Sequence, residues 1–559
     1  MLRKKIYKWH RTTSLLIALP VMLWALSGFL HPIMTTWRPQ VGTQFVPAPA
    51  IDTSQLKMPL RDVLVAQGIK EVETFRLVQI ERQWFYQVLL QDQPVLQYFS
   101  TVSGKPLRNG DALYAQYLAK KFLKGPNKAG HAEAKKPVVD RAALVPQTGL
   151  MMRNAVDNNK PSEEANTDEA VDCCLSATMA ILSDTTGAKV TSVSLLTGFE
   201  GEYREINRLL PVYKVGFDRA DGIRIYVETS TDRFAYAVDN RRAAADKFFN
   251  LFHNLGWLSF LGTAKHWVTI SIMLLAFATS IMGLYILFTT NGKKGSSHPV
   301  VRTRYAHRWT SGFFALFTLL FTFSGAFHAF EKLEPDTRDQ FFMRQTVAAS
   351  AIDINWAAIS QSIDTSRQLT NVKPVKIGEQ LFYQLYSNAR NWRGKVAETA
   401  KKKDLMKSME VPPPSMVYFD PVNQQLLPNG EECFARHMAA TFSGQPLSAI
   451  EKTEVITKFE GEYGFVNKRL PVWKVSYASN GNERYYVETS SGKLGAHIND
   501  ADLAEGYSFA ILHKHHFMDW GGKAVRDAST MFWAAGVIAM SVVGLVLWWR
   551  SRSRKVDVA

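Results

Sequence analysis

Four long apolar runs interrupt an otherwise mixed chain, and they fall into two pairs. The runs are Leu15–Leu30, Val268–Phe288, Phe313–Phe330 and Met531–Trp549. Each holds 16 to 21 residues, which is enough for one helical crossing of a bilayer at about 1.5 Å per residue. Long polar stretches separate the first run from the second and the third from the fourth. The pattern therefore predicts four transmembrane helices and two large domains outside the bilayer.

The first and third runs are copies of one another, each with a histidine at both ends. A shift of 297 positions places His10 on His307 and His31 on His328, and the two histidines of each copy are 21 positions apart. That separation is about 31 Å along a helix and leaves the imidazoles about 60° apart, so both can face one bundle interior. Serine and glycine also match at one turn from the histidines, which leaves room for a flat, bulky group. We interpret the four histidines as ligands of bis-histidine haem rather than as interfacial side chains.

The repeat continues in the segments outside the bilayer. Residues 98–122 match 418–442 at an offset of 320, and 199–230 match 459–490 at an offset of 260. The first block predicts a strand, a turn and a helix that begins after Asn-Gly, and the second predicts a hairpin. The change of offset indicates an insertion at 124–172 in the first copy. The chain thus consists of two copies of one plan: spanning helix, outer α+β domain, spanning helix.

These patterns predict a membrane protein with a four-transmembrane-helix haem-binding bundle and two α+β domains, built by internal duplication. The predicted units are 1–34, with the first span; 35–250, the first outer domain with its insertion; 251–290, a lead-in and the second span; 291–304, a loop; 305–331, the third span; 332–510, the second outer domain; 511–550, a lead-in and the fourth span; and 551–559, a tail.

The net charge of +16 is concentrated beside the membrane. Fourteen Lys and Arg residues flank the first span, the 291–304 loop and the end of the fourth span, where only Asp557 opposes them, so about +13 of the +16 lies there. This distribution follows the positive-inside rule. It predicts a multi-pass membrane protein with both termini and the 291–304 loop cytoplasmic, lipid as its surroundings, and no nucleic-acid partner.

Further histidines gather at the predicted outer end. His253 matches His513 at the offset of 260. One outer haem could therefore lie between His31 and His328, or two could pair His31 or His328 with His253 or His513. The less certain metal ligands in this region are His266, His515 and His516. An inner and an outer haem iron about 31 Å apart are too distant for a single electron-transfer step. An intermediate site would divide that distance into shorter steps.

The chain has three cysteines, Cys173, Cys174 and Cys433, so at least one of them is unpaired within the chain. Their spacing assigns them no role.

The helix ending in SGxxH, the blocks EGEY, LPVYKV and YVET, and the return helix resemble the PepSY-associated transmembrane family. The chain is similar to the members that act as inner-membrane ferric-siderophore reductases, and the resemblance covers most residues outside 124–172. It implies a four-helix core with haem b and PepSY-like domains in the periplasm. The histidine pattern of the family maps onto His10, His31, His307 and His328.

The expected function is that of a haem b-dependent oxidoreductase, a ferric-siderophore reductase with at least two haems and possibly a third. The chain has no GxGxxG, P-loop or HExxH motif, so a quinol or a cytoplasmic reductase would supply the electrons. Haem carries one electron at a time, which suits reduction of a periplasmic ferric chelate and release of Fe(II) for uptake. The alternatives are a PepSY-type binding or regulatory protein with structural helices, or an iron-chelate permease.

Overall fold

A computed structural model describes residues 2–124, 188–290, 298–333, 341–390 and 415–556, apart from the single positions 40, 43, 45 and 92. Except for Lys124, which ends a helix, the predicted insertion lies outside these ranges, and so do Cys173, Cys174 and residues 291–297.

Helices form the membrane part and connect the strands of the outer domains. Their bounds are α1 Leu2–Thr35, α2 Leu60–Ala66, α3 Gly110–Lys124, α4 Asn240–Phe252, α5 Ala264–Thr289, α6 Pro299–Glu331, α7 Trp356–Ser362, α8 Gly430–Ser443, α9 Ser479–Asn482, α10 Asp500–Ser508 and α11 Gly522–Val556. Helix α6 begins at Pro299, within the predicted loop 291–304, because proline suits the first turn of a helix.

Four of these helices, α1, α5, α6 and α11, are long and apolar enough to cross a membrane. Helices α1 and α6 each pack against both α5 and α11, so the two matched helices face each other across the bundle. Ile17 and Val21 of α1 share a buried cluster with Ala276 of α5 and Val537 of α11. The duplicated sequence therefore folds into a bundle with approximate two-fold symmetry.

The bundle has two distinct ends. The first turns of α1 and α6 lie beside the last turns of α5 and α11: Arg3 donates to the carbonyl of Thr289, and Arg550 donates to Thr303. We call this the terminal end, because α1 begins there and α11 ends there, and we call the opposite one the domain end. At the domain end, two matched 3₁₀ helices, Gly256–Leu261 and His516–Gly521, expose aromatic side chains that include Phe260 and Trp520. Exposed aromatic residues at this position are typical of a membrane boundary.

Antiparallel strands make up the sheets of the outer domains. Their bounds are β1 Glu71–Val72, β2 Thr74–Ile80, β3 Gln83–Leu89, β4 Gln97–Ser100, β5 Val190–Leu196, β6 Val212–Phe217, β7 Arg224–Glu228, β8 Arg233–Val238, β9 Val347–Ala348, β10 Arg367–Ile377, β11 Gln380–Ala389, β12 Ser415–Asp420, β13 Gln425–Leu426, β14 Ile450–Ile456, β15 Val472–Tyr477, β16 Arg484–Glu488 and β17 Lys493–Ile498.

Each outer domain packs one helix between two small sheets. In the first domain, α3 lies between the β2-β3-β4 sheet and the β5-β6-β7-β8 sheet, and Leu118, Phe122 and Ile225 are buried between them. In the second domain, α8 lies between the β10–β13 sheet and the β14–β17 sheet. The predicted hairpin is confirmed, since β6 pairs with β7 and β15 pairs with β16.

The helix start predicted after Asn-Gly is confirmed in both copies. Helix α3 begins at Gly110 and α8 begins at Gly430. A Cβ atom on either glycine would come within 2.7 Å of Tyr98 or 2.6 Å of Tyr418. Only glycine allows each helix to start this close to the strand before it.

The two outer domains join edge to edge. The side chain of Asn371, which lies at an irregularity in β10, accepts from the backbone N–H of Leu77 at 2.9 Å and donates to its carbonyl at 3.0 Å. One side chain thus pairs both backbone groups of Leu77 on the edge of β2. Leu77, Val372 and Tyr383 share a single buried core across the junction.

A buried charge cluster also connects the domains at two facing hairpin turns. Glu228 ends β7, Glu488 ends β16, and both are fully buried. Arg233 of the first domain bonds Glu488 at 2.5 Å, and Arg469 of the second bonds Glu228 at 3.3 Å and Glu488 at 2.8 Å. Lys493 bonds Glu228 at 3.2 Å. Burial alone would raise the pKa of Glu488, but Arg233 and Arg469 outweigh it and lower that pKa to about 2.

We expect Glu488→Gln to destabilise the protein by about 3–5 kcal/mol at neutral pH, because it leaves Arg233 and Arg469 buried with less compensating charge. The folded-state pKa of Glu488 lies below its ordinary value of 4.5, so the charge contributes stability above that value and loses it as the pH falls toward about 2. The difference between wild type and variant should therefore shrink over that interval. This difference in unfolding free energy can be measured by unfolding the detergent-solubilised proteins at a series of pH values. Glu454→Gln, which alters an exposed pair with Lys452, is the control, and equal effects of the two variants would contradict the prediction.

Candidate functional site

At the terminal end, His10 and His307 occupy matched positions against the neighbouring helices. The Nδ1 atom of His10 lies 3.1 Å from the carbonyl oxygen of Thr279 on α5. The Nδ1 atom of His307 lies 3.3 Å from the hydroxyl of Ser311, one turn along its own helix. Both histidines of the predicted pair therefore lie near the terminal end of the bundle, one on α1 and one on α6.

Two glycines allow the imidazoles at the terminal end to lie inside the bundle. A Cβ atom on Gly283 of α5 would approach Cε1 of His10 to 3.2 Å, and one on Gly544 of α11 would approach Cε1 of His307 to the same distance. A larger side chain at either position would displace the ring. The small residues that make room for the histidines thus lie on the partner helices as well as on the histidine helices.

At the domain end, each predicted histidine pair encloses a phenylalanine. The Phe249 ring lies 4.5 Å from the His31 ring and 4.4 Å from the His253 ring. In the second copy the Phe509 ring lies 4.6 Å from the His328 ring and 4.9 Å from the His513 ring. A flat aromatic ring therefore separates the two imidazoles of each pair.

The two sets meet at the centre of the bundle. The rings of His253 and His513 are 6.1 Å apart and nearly perpendicular. Trp24 stacks on His253 at 5.7 Å, and Phe321, its counterpart on α6, contacts His513 at 5.6 Å. His31 and His328 lie outside this central group, each behind its own phenylalanine.

Hydrogen bonds fix which nitrogen is free on three of the histidines. The carbonyl of Thr279 can only accept, so Nδ1 of His10 must donate. The hydroxyl of Ser27 gives its proton to the carbonyl of Trp24 and accepts from Nδ1 of His253 at 3.2 Å. Nδ1 of His328 faces the carboxylate of Glu505 at 2.6 Å. In the neutral tautomer each Nε2 then carries the lone pair that a metal would need.

The two copies differ at the serine beside the central histidine. In the first copy Ser27 bonds His253, but in the second copy Nδ1 of His513 and the hydroxyl of the matching Ser324 are both buried and have no hydrogen-bond partner among the described residues. The difference arises because α4 has a regular last turn, whereas residues Phe509–His513 form a π-helical turn. Such turns occur often at functional sites.

The three less certain histidines separate into different environments. His266 lies in the first turn of α5 and is partly exposed. The Nδ1 atom of His516 lies 2.6 Å from the carboxylate of Asp519, which also bonds Arg526 at 2.7 Å. His515 is fully buried, between Phe317 at 5.2 Å and Phe321 at 5.3 Å.

Haem iron and a bare metal ion require different numbers of protein ligands. No group of three or more His, Cys, Asp or Glu side chains suited to hold a metal ion occurs within the described ranges. An ion such as zinc needs three or four protein ligands, whereas haem iron needs only one or two imidazoles. The paired histidines, with free Nε2 atoms and backbone glycines beside them, fit that smaller requirement.

The phenylalanines of the domain end were missed by the sequence reasoning, although a signal was present. Phe249 precedes His253 by one helical turn, and Phe509 precedes His513 in the same way at the same offset. The carbonyl of Thr279 gives no such signal, because every residue carries one.

A scan against models of protein families finds no match for this chain. A search of curated proteins also finds no match.

Ser27→Ala should destabilise the bundle by about 0.6 kcal/mol, up to about 1.7 kcal/mol, because it removes the acceptor of the His253 Nδ1–H inside the bundle. Ser324→Ala is the matched control, since the Ser324 hydroxyl has no partner in the described part of the chain. Unfolding in mixed detergent micelles measures both variants. An equal loss in the two variants would mean that the Ser27 hydrogen bond contributes nothing.

Proposed function

We propose that this protein is a haem b-dependent oxidoreductase that passes electrons across a bacterial inner membrane to a ferric chelate. One observation carries the proposal: at both ends of the bundle, Nδ1 of an inward-facing histidine is engaged by a neighbouring group and Nε2 is left free. In metal sites, a hydrogen bond between the other ring nitrogen and a neighbouring group orients the imidazole. The repeated histidine spacing and the resemblance to PepSY-associated ferric-siderophore reductases support the same function.

At the terminal end, His10 and His307 would hold one haem. The Thr279 carbonyl and the Ser311 hydroxyl keep Nδ1 of each ring engaged and orient Nε2. Gly283 and Gly544 supply the space beside the rings. The basic residues at this end favour its cytoplasmic placement, where a quinol or a soluble reductase would donate.

At the domain end, we propose two off-axis pairs, His31 with His253 and His328 with His513. This arrangement is favoured over a single pair of His31 and His328 because Trp24, Phe321 and the inner rings of the two sets fill the centre. Ser27 orients His253, and Glu505 orients His328. A macrocycle between the imidazoles of either pair would have to displace the phenylalanine ring that lies there, Phe249 in the first copy and Phe509 in the second.

Bound haem would supply one-electron chemistry between Fe(III) and Fe(II). The protein would contribute the ligand nitrogens, their orientation and the exclusion of water from the bundle. The substrate would be a ferric siderophore or another ferric chelate in the periplasm, and weaker binding of Fe(II) by an oxygen-rich chelator would release the metal.

Purified protein should show a Soret band and, after dithionite, the sharp visible bands of low-spin bis-histidine haem. His10→Ala and His307→Ala should each lower the haem-to-protein ratio, because each removes one ligand of the same site. A pyridine haemochrome assay on each sample measures the ratio.

His298→Ala is the control for this experiment, since His298 precedes α6 at its first turn and its Nδ1 accepts from the backbone of Val300. A wild-type protein without haem, or an unchanged ratio in both ligand variants, would overturn the proposed function.

In proteoliposomes with a reductant inside and a ferric chelate outside, we expect Fe(II) to form outside and to be trapped by a chromogenic chelator. The double variant His10→Ala/His307→Ala should slow this to the rate of protein-free vesicles, because electrons would no longer enter the bundle. Full activity of the double variant would contradict the proposed electron path.

A further inference from the structure

The terminal end of the bundle carries many cations and, among its described residues, no carboxylate. The cations of α1 are Arg3, Lys4, Lys5, Lys8 and Arg11, and neither α1 nor α5 contains an acidic residue. The single acidic residues of α6 and α11, Glu331 and Asp527, lie in the halves of those helices that belong to the domain end. Anions that oppose the charge of the terminal end must therefore come from outside these helices.

Part of this charge lines a groove between α1 and α5. The groove holds a cavity of about 210 Å³, and its lining includes Arg3, Lys4, Tyr7, Ile286 and Thr290. That volume exceeds by far the space that one water molecule needs. Arg3, Lys4 and the Tyr7 hydroxyl can donate hydrogen bonds to an anion, whereas Ile286 provides an apolar wall. The groove thus combines positive charge with apolar surface.

Hydrogen bonds hold two guanidinium groups beside the groove. Nη1 of Arg3 donates to the carbonyl of Thr289 at 3.4 Å. Arg308 donates through Nη1 to the hydroxyl of Thr290 at 2.8 Å and through Nη2 to the carbonyl of Leu287. The last carbonyls of a helix have no partner within it, so both arginines cap the end of α5. A guanidinium has five N–H groups, which leaves donors on both side chains for a further acceptor.

The groove lies at the boundary of the bilayer and belongs to the first copy. The apolar run of the second span ends at Phe288, beside the groove, which places the cavity at the level of the lipid headgroups. In the second copy, Val300 and Val301 occupy the positions of Arg3 and Lys4. The two charges that α1 contributes to the groove therefore have no counterpart at the same positions of α6.

We propose that this groove binds the phosphodiester group of an anionic phospholipid from the leaflet at the terminal end. Phosphate oxygens accept strong hydrogen bonds from arginine and lysine, and basic pockets between transmembrane helices bind anionic headgroups in other membrane proteins. The ammonium group of a zwitterionic headgroup would instead be repelled by Arg3 and Lys4. The acyl chains would continue along the apolar surface that begins at Ile286. This inference goes beyond the proposed function and does not depend on haem.

The test is a lipid titration of the full-length protein in detergent, followed by native mass spectrometry. Wild-type protein should bind phosphatidylglycerol more tightly than phosphatidylcholine. Lys4→Ala should weaken the binding of phosphatidylglycerol about five-fold, because it removes one cation near the membrane surface. Lys4→Arg should retain the affinity. Lys5→Ala is the matched control: it removes the same charge from the next residue, which does not line the groove, and it should leave the affinity unchanged.

Three results would overturn the inference. Equal losses in Lys4→Ala and Lys5→Ala would show that surface charge acts without a site. Equal affinity of the wild type for the two lipids would show that an anionic headgroup is not selected, and this comparison holds even if a variant fails to fold. Displacement of phosphatidylglycerol by excess inorganic phosphate would show a site for the free anion. Wild-type protein without haem would overturn the proposed function and leave this inference standing.

Discussion

The structure depends on how a histidine is satisfied inside an apolar bundle. Each buried imidazole needs an acceptor for its N–H, since lipid offers none. For His10, His253 and His328 the acceptors are a carbonyl, a hydroxyl and a carboxylate, each on another segment of the chain. The packing of the helices therefore also determines the orientation of the imidazole rings. A change in either would alter which nitrogen points into the bundle.

Duplication explains the general plan, and the two copies depart from it at a few positions of the domain end. Gly283 and Gly544 match, as do Phe249 and Phe509. The second copy alone has a π-helical turn, a buried His515 and a carboxylate at Glu505 against His328. One half of the bundle is thus more polar at its domain end than the other.

Sequence patterns predicted much of the fold and less of the site. Apolar runs and repeats were enough for four long helices and for the paired hairpins, because both signals are local and periodic. The partners of the histidines are not periodic: the Thr279 carbonyl and the cross-domain ion pairs of Glu228 and Glu488 arise from tertiary packing. The burial of His515 also required the structure, because it depends on how the chain re-enters the bundle after the outer domain.

The Asn371 junction has a consequence for biosynthesis. The edge strand that it covers lies 294 residues earlier in the chain, at Leu77. At about 5–20 residues per second, the ribosome needs about 15–60 s to produce the second partner after the first has emerged. During that interval the edge of β2 is open to pairing with other chains. A factor that shields exposed strands during synthesis would therefore raise the yield of this protein, and its benefit should grow as translation slows.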